Sequence, residues 1–311
     1  MNETTVSVET GVVVPAHAAP PFGLVDVALI GLMTVWGANF VVVKAAVAQF
    51  RPLAFTALRF AIAGVVLLVV LVLLRVSLRV SRADLGRLAL LGLVGNILYQ
   101  PLFVIGISHT TAGNSALILA AAPVLVALEN HVLGQERLHG RAWTGVALSF
   151  FGLALVILGG PKEISLAPET MFGNLLTLGA VLCWATYTVM SRPLVTRLDP
   201  LVVTSVSLLI GAGALLVFAA PSFLAQDWSA INPGGWLGLL YSGLLAIGLG
   251  YVIWGKGVQR LGGARTSVYS NLNPIVAALT GMIFLGERIT LLQVVGAACV
   301  FGGIVLARSR A

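Results

Sequence analysis

Runs of about twenty apolar residues recur between short polar connections along almost the whole chain. This pattern, from Gly23 to Arg308, limits the fold more than any other feature. Twenty helical residues at about 1.5 Å rise span the roughly 30 Å hydrocarbon core of a bilayer. A backbone in lipid must satisfy its own hydrogen bonds, which leaves helices or a closed barrel. Barrel strands would be about ten residues long and alternate in polarity, and no such alternation appears. A soluble core of this kind would go uncovered. Of 311 residues, 59% are hydrophobic and 9% charged, against about 25% charged in a soluble domain. Mean hydropathy is +1.02.

The runs predict an all-α polytopic membrane protein with ten transmembrane helices. The expected spans are 24–45, 52–74, 86–108, 112–133, 142–160, 171–191, 200–220, 235–257, 264–285 and 291–308. Residues 1–22 carry three prolines and no basic stretch before an apolar run, so a disordered tail is expected there and not a signal peptide. Pro52, Pro161, Pro193, Pro200 and Pro221 fall at or near expected helix ends, where a missing N–H matters least. Pro101, Pro123 and Pro274 fall inside spans three, four and nine and should kink or open them. With the N-terminus inside, the cytoplasmic side receives thirteen Lys and Arg, and the far side receives four: Lys44, Arg51, Lys162 and Arg288. That bias puts both termini in the cytoplasm, although the first helix lacks a basic flank of its own. The net charge of +7 is scattered between apolar segments, which argues against a nucleic-acid partner. Cys183 and Cys299 sit alone in apolar runs and read as small hydrophobes. The sequence calls for no metal and no cofactor.

The chain also writes one ending twice, PVLVALENHVLGQER at 123–137 and NPIVAALTGMIFLGER at 273–288. A shift of 151 residues aligns Pro123 with Pro274, Glu136–Arg137 with Glu287–Arg288, Gly145 with Gly296 and Gly152 with Gly303. A shift of 148 aligns Trp36 with Trp184 and Pro52 with Pro200. An internal duplication follows, residues 23–160 and 161–311, with five spans in each half. Five is odd, so the second half enters the membrane from the opposite side. Inverted repeats of this kind enclose midplane sites in many transporters.

These residues resemble the drug/metabolite transporter superfamily in its EamA-domain branch. The resemblance rests on WGANFVVVK at 36–44, FTALRF at 55–60, ALILAAAPVLVALENHVLGQERL at 116–138, VLCWATYTVMSRPL at 181–194 and SVYSNLNPIVAALTGMIFLGERIT at 267–290. Within that family the chain is similar to bacterial inner-membrane exporters of amino acids, including the aromatic type. The resemblance implies a multi-pass inner-membrane protein exporting amino acids or related small metabolites, in contact with membrane lipid. It leaves the substrate open among amino acids, drugs, nucleosides and other metabolites. The oligomeric state is open too, and a monomer suffices.

A polar residue in a membrane core needs a partner or a wet cavity. Candidates for a substrate site are Trp36, Asn39, Asn96, Tyr99, Gln100, Trp184, Tyr187, Tyr251, Trp254, Tyr269 and Asn273. Tyrosine hydroxyls and amides would hold the charged groups of an amino acid, while ring faces pack its body or meet its ammonium. The same residues would also serve as an interfacial belt or as helix–helix contacts. Asn273 would equally re-satisfy backbone groups freed by Pro274. Arg59 and Glu129 are the clearest intramembrane charges, with possible electrostatic or coupling roles. Arg59 would snorkel to the surface or make the outer mouth positive. No direct pair between the two is expected. Asp26 opens helix one, where a carboxylate suits the helix dipole.

Two other classes fit less well. An intramembrane enzyme would need a compact catalytic set, and the four histidines are dispersed with no HExxH. A channel would need a continuous polar lining, while polar residues here gather near mid-membrane. No Walker motif supplies ATP.

Overall fold

The computed structural model describes residues 22–110, 118–135, 139–159, 168–276, 279 and 290–308. The repeated Glu-Arg endings lie outside these residues, as does nearly all of the expected tail. Among the described residues every regular element is helical. The principal ones, in chain order, are α1 (Leu24–Val47), α2 (Pro52–Leu73), α3 (Arg82–Ile107), α4 (Ala122–Val132), α5 (Gly140–Leu158), α6 (Pro168–Val195), α7 (Pro200–Phe218), α8 (Pro233–Leu261), α9 (Gly263–Val268) and α10 (Leu291–Arg308), with a short helix, Ala220–Leu224, after α7. Six of them, α2, α3, α5, α6, α7 and α8, are long and apolar enough to cross a membrane.

Local chemistry sets the ends. Proline opens α2 and α7, where its missing N–H costs nothing. The Ser81 hydroxyl accepts from Asp84 N at 3.1 Å and starts α3 four residues before the expected start of its apolar run. Asn232 caps α8 in the same way, accepting from Gly235 N at 3.0 Å. Helix α6 is longer than its apolar run predicts and continues through Pro193, which lies inside its last turn, two residues from its end. Gly262, at φ +86° and ψ 163°, turns the chain from α8 into α9, a conformation open to glycine.

The three internal prolines behave as expected, and in one way. Each follows backbone that departs from the α pattern. A π-helical stretch, Leu93–Leu98, precedes Pro101. A turn at residues 120–121 precedes Pro123. A 3₁₀ turn, Tyr269–Leu272, precedes Pro274. A second π stretch, Tyr241–Leu249, loosens α8 without any proline, in a run holding Gly243, Gly248 and Gly250.

Helices α5 and α10 lie antiparallel and touch through backbone. A Cβ at Gly145 would stand 2.6 Å from Gly303 O, and one at Gly303 2.6 Å from Gly145 O. A Cβ at Gly152 would stand 2.6 Å from Gly296 O, and one at Gly296 2.5 Å from Gly152 O. The residue shift of 151 exchanges these two contacts with each other. Midway between them, Ser149 Oγ donates to Val300 O at 3.2 Å.

The two ends of α7 are tied differently. Near its start, Arg197 pairs with Asp84 of α3 at 2.8 Å. Beyond its other end amides do the work. Gln226 Nε2 donates to Gln49 O at 3.2 Å, and Gln49 Oε1 accepts from Asn232 N at 2.9 Å.

Candidate functional site

Six of the aromatic candidates, scattered over 219 positions from Trp36 to Trp254, meet in one cluster. Trp184 of α6 is its hub. Its ring centroid lies 5.6 Å from Trp36, 5.6 Å from Tyr99, 5.4 Å from Tyr187, 5.6 Å from Tyr251 and 5.3 Å from Trp254. The Tyr187 ring stacks on it, and Trp36 meets it edge-on. Helical spacing explains the arrangement: Trp184 and Tyr187 on α6, and Tyr251 and Trp254 on α8, are each three residues apart and share a face.

The rings need seats. A Cβ at Gly95 would lie within 2.9 Å of Tyr187 ring atoms, and one at Gly250 would lie 2.9 Å from Trp36 Nε1. Both glycines border or belong to π stretches, so the loosened backbone makes room for the rings. Hydrogen bonds then fix two of the indoles. Trp36 Nε1 donates to Ala246 O at 2.8 Å, and Trp254 Nε1 donates to Thr188 Oγ at 3.2 Å.

Arg59 stands beside the rings and is only 5% exposed. The expectation that it snorkels is therefore corrected: helix α2 buries it against α3 and α8. Its guanidinium donates to Gln100 Oε1 at 2.8 Å and to Ser242 Oγ at 3.1 Å. It lies 5.4 Å from the Phe55 ring centroid and 5.8 Å from that of Phe60. Gln100, its partner on α3, directly follows Tyr99, and Phe60 beside it meets Tyr251 edge-on. The Arg59 Nε–H is buried without a partner.

Other candidates lie elsewhere. Asn96 donates to Ser207 O at 3.2 Å and packs on Gly211, so it joins α3 to α7 and does not face the rings. The Tyr269 hydroxyl donates to the Asp26 carboxylate, and Asp26 also accepts from Gly23 N at 2.8 Å. Asp26 thus caps α1, as expected, and ties it to the chain after α9 as well. Asn39 and Asn273 each bury a side-chain oxygen without a partner. Glu129 is partly buried and accepts from Thr186 Oγ at 3.3 Å. It does not meet Arg59.

Four residues of the site escaped the sequence reading. Phe60 meets Tyr251 edge-on at 6.2 Å, and Phe103 stacks on Tyr99 at 5.5 Å. Ser242 and Thr188 hold Arg59 and Trp254. Phe103 lies four residues after Tyr99, so helical spacing alone could have proposed it, whereas Phe60 is next to Arg59 in sequence, a spacing that does not place two side chains on one helix face. Nothing in the sequence distinguishes Ser242 or Thr188 from other small polar residues in apolar helices.

Six helices long and apolar enough to span a bilayer, with rings and a cation buried among them, make this a multi-pass membrane protein. Comparison with known proteins makes this specific. The EamA-like transporter family matches the chain at residues 23–158 and again at 171–309. The chain belongs to this family, a branch of the drug/metabolite transporter superfamily. It is similar to the uncharacterized transporter YyaM of Bacillus subtilis, 29% identical over 90% of this chain and 92% of the other. It is also similar to a probable amino-acid metabolite efflux pump of Escherichia coli, at 29% identity over 88% and 91%. A probable terminal-alkyne amino-acid exporter of Streptantibioticus cattleyicolor is 26% identical over 91% and 93%. One solved crystal structure shares the fold with a TM-score of 0.75 at 20% identity, covering 91% of this chain and 95% of the other.

Proposed function

We propose that this chain exports amino acids or related small metabolites across the inner membrane by alternating access, with the ring cluster around Trp184 as its solute site. The carrying observation is the origin of the rings. They come from α1, α3, α6 and α8, so any solute held there touches both halves of the chain at once. Relative movement of the halves would then open the site to one side or the other.

On this reading ten helices form two inverted five-helix repeats with both termini cytoplasmic. Three observations support it. The family matches the chain twice in succession. The contacts between α5 and α10 exchange under the same shift that aligns the sequence halves. That shift also superimposes the π stretch of α3 on the π stretch of α8. The reciprocal glycine contacts would form the axis on which the halves turn. Asp84–Arg197 and the Gln49–Asn232–Gln226 amides would latch opposite faces. The amino-acid assignment rests on two relatives, one named a probable amino-acid metabolite efflux pump and one a probable terminal-alkyne amino-acid exporter, together with rings suited to an apolar body.

Purified protein in liposomes tests this. Imposed gradients of aromatic and branched amino acids should drive specific, saturable flux. Absence of flux for every amino acid in both directions would refute the amino-acid assignment.

A further inference from the structure

We infer that Arg59 is the anchor for a carboxylate on the transported solute, which makes the cargo an organic acid or zwitterion with an apolar body. The inference deepens the transport reading above and rests on it.

Burying a guanidinium far from water is costly unless its N–H groups and its charge are met. Here two neutral acceptors, Gln100 Oε1 and Ser242 Oγ, take one nitrogen each. The Nε–H has no acceptor. No acidic side chain meets the charge among the described residues: Glu129 is bonded to Thr186, Asp26 to Tyr269 and Gly23, and Asp84 to Arg197. The faces of Phe55 and Phe60 stabilise the cation only in part. A structural arginine in lipid would ordinarily be matched by a carboxylate or by backbone carbonyls. This one is held in place by neutral groups and left without its counter-charge.

The missing group has a definite chemistry. A guanidinium presents parallel N–H donors that match a carboxylate, and such pairs are strongest where water is excluded. Phe60, whose ring lies 5.8 Å from the Arg59 guanidinium, meets Tyr251, and Gln100, bonded to Arg59, directly follows Tyr99; both tyrosines adjoin Trp184. A carboxylate at Arg59 would therefore carry its apolar body onto the rings. An ammonium, when present, would meet ring faces and not an acid.

Matched probes test this on the full chain, with binding read from quenching of intrinsic tryptophan fluorescence and uptake read in proteoliposomes. L-Phenylalanine and L-leucine should each bind about 10- to 100-fold more tightly than their carboxamides, the range for a hydrogen bond between charged groups. In Arg59→Gln that preference should vanish, the acid losing more affinity than the carboxamide until the two bind within about twofold of each other. Arg59→Lys, which keeps the charge but loses the fork, should retain part of it. The wild-type ratio stands even if the variants fold poorly. Equal binding of acid and amide, a preference that survives in Arg59→Gln, or no binding of either acid would overturn the assignment. Uptake of amides without preference for acids would sink the role of Arg59 and leave transport standing. No flux of acid or amide would sink both.

Discussion

Helices α5 and α10 meet backbone to backbone, whereas α1, α3, α6 and α8 meet through large rings. The first junction has four glycines in reciprocal contact and one serine hydrogen bond between them. The second has three tryptophans and three tyrosines, with an incompletely satisfied arginine beside them. In lipid, helices associate through close packing and polar contacts, because burial from water contributes little. Small residues therefore mark the junction where the backbones approach most closely. Rings with polar edges are a costlier way to pack helices, and they make sense where a solute has to be received.

Substitutions should separate the two junctions sharply. The largest effect is expected at the seam. Gly152→Leu places a branched side chain where even a Cβ would stand 2.6 Å from Gly296 O. It should destabilise by more than about 3 kcal/mol and abolish monodisperse protein in size-exclusion chromatography. At the rings, Trp184→Leu keeps apolar bulk and removes the hub. It should fold, yet raise the half-saturation of transport roughly tenfold, since ring contacts with a bound solute are each worth about 0.5–2 kcal/mol. Tyr99→Ala, at the edge of the cluster, should raise half-saturation by about 3- to 10-fold without loss of membrane insertion. The smallest effect is expected for Thr188→Val, which removes the acceptor of Trp254 Nε1 and the hydroxyl's own bond to Trp184 O within α6. A lost hydrogen bond of about 1 kcal/mol should change half-saturation by roughly two- to fivefold. A seam variant that folds normally, or a Trp184→Leu protein that does not, would break the division.

Most of the helices were legible because lipid imposes one rule on every span. The run expected at 52–74 is a helix at Pro52–Leu73, and the run at 291–308 is Leu291–Arg308. The ends drifted where polar residues extend a helix beyond its apolar run. Helix α6 passes Pro193, and α8 reaches Leu261, where Gln259 bonds Val195 O of α6. Hydropathy cannot register such caps and contacts. Of the site, the rings were legible because large aromatic residues at helical spacing are few in so aliphatic a chain. The roles of Asn96 and Tyr269 were not. A buried amide or hydroxyl in a membrane looks the same in sequence whether it faces a solute or another helix. Only tertiary contacts with Ser207 and Asp26 decide it. Arg59 was visible as a charge, but its burial depends on Gln100 and Ser242, which lie 41 and 183 residues away in the chain.

The central claim is that solute passes through the rings. Counterflow of labelled L-phenylalanine into proteoliposomes, measured against concentration for the native chain and for Trp184→Leu side by side, tests it most directly. Saturable uptake in the native protein, with half-saturation about tenfold higher in the variant, is the predicted result. Uptake that is linear in concentration, or saturation curves that coincide, would contradict it.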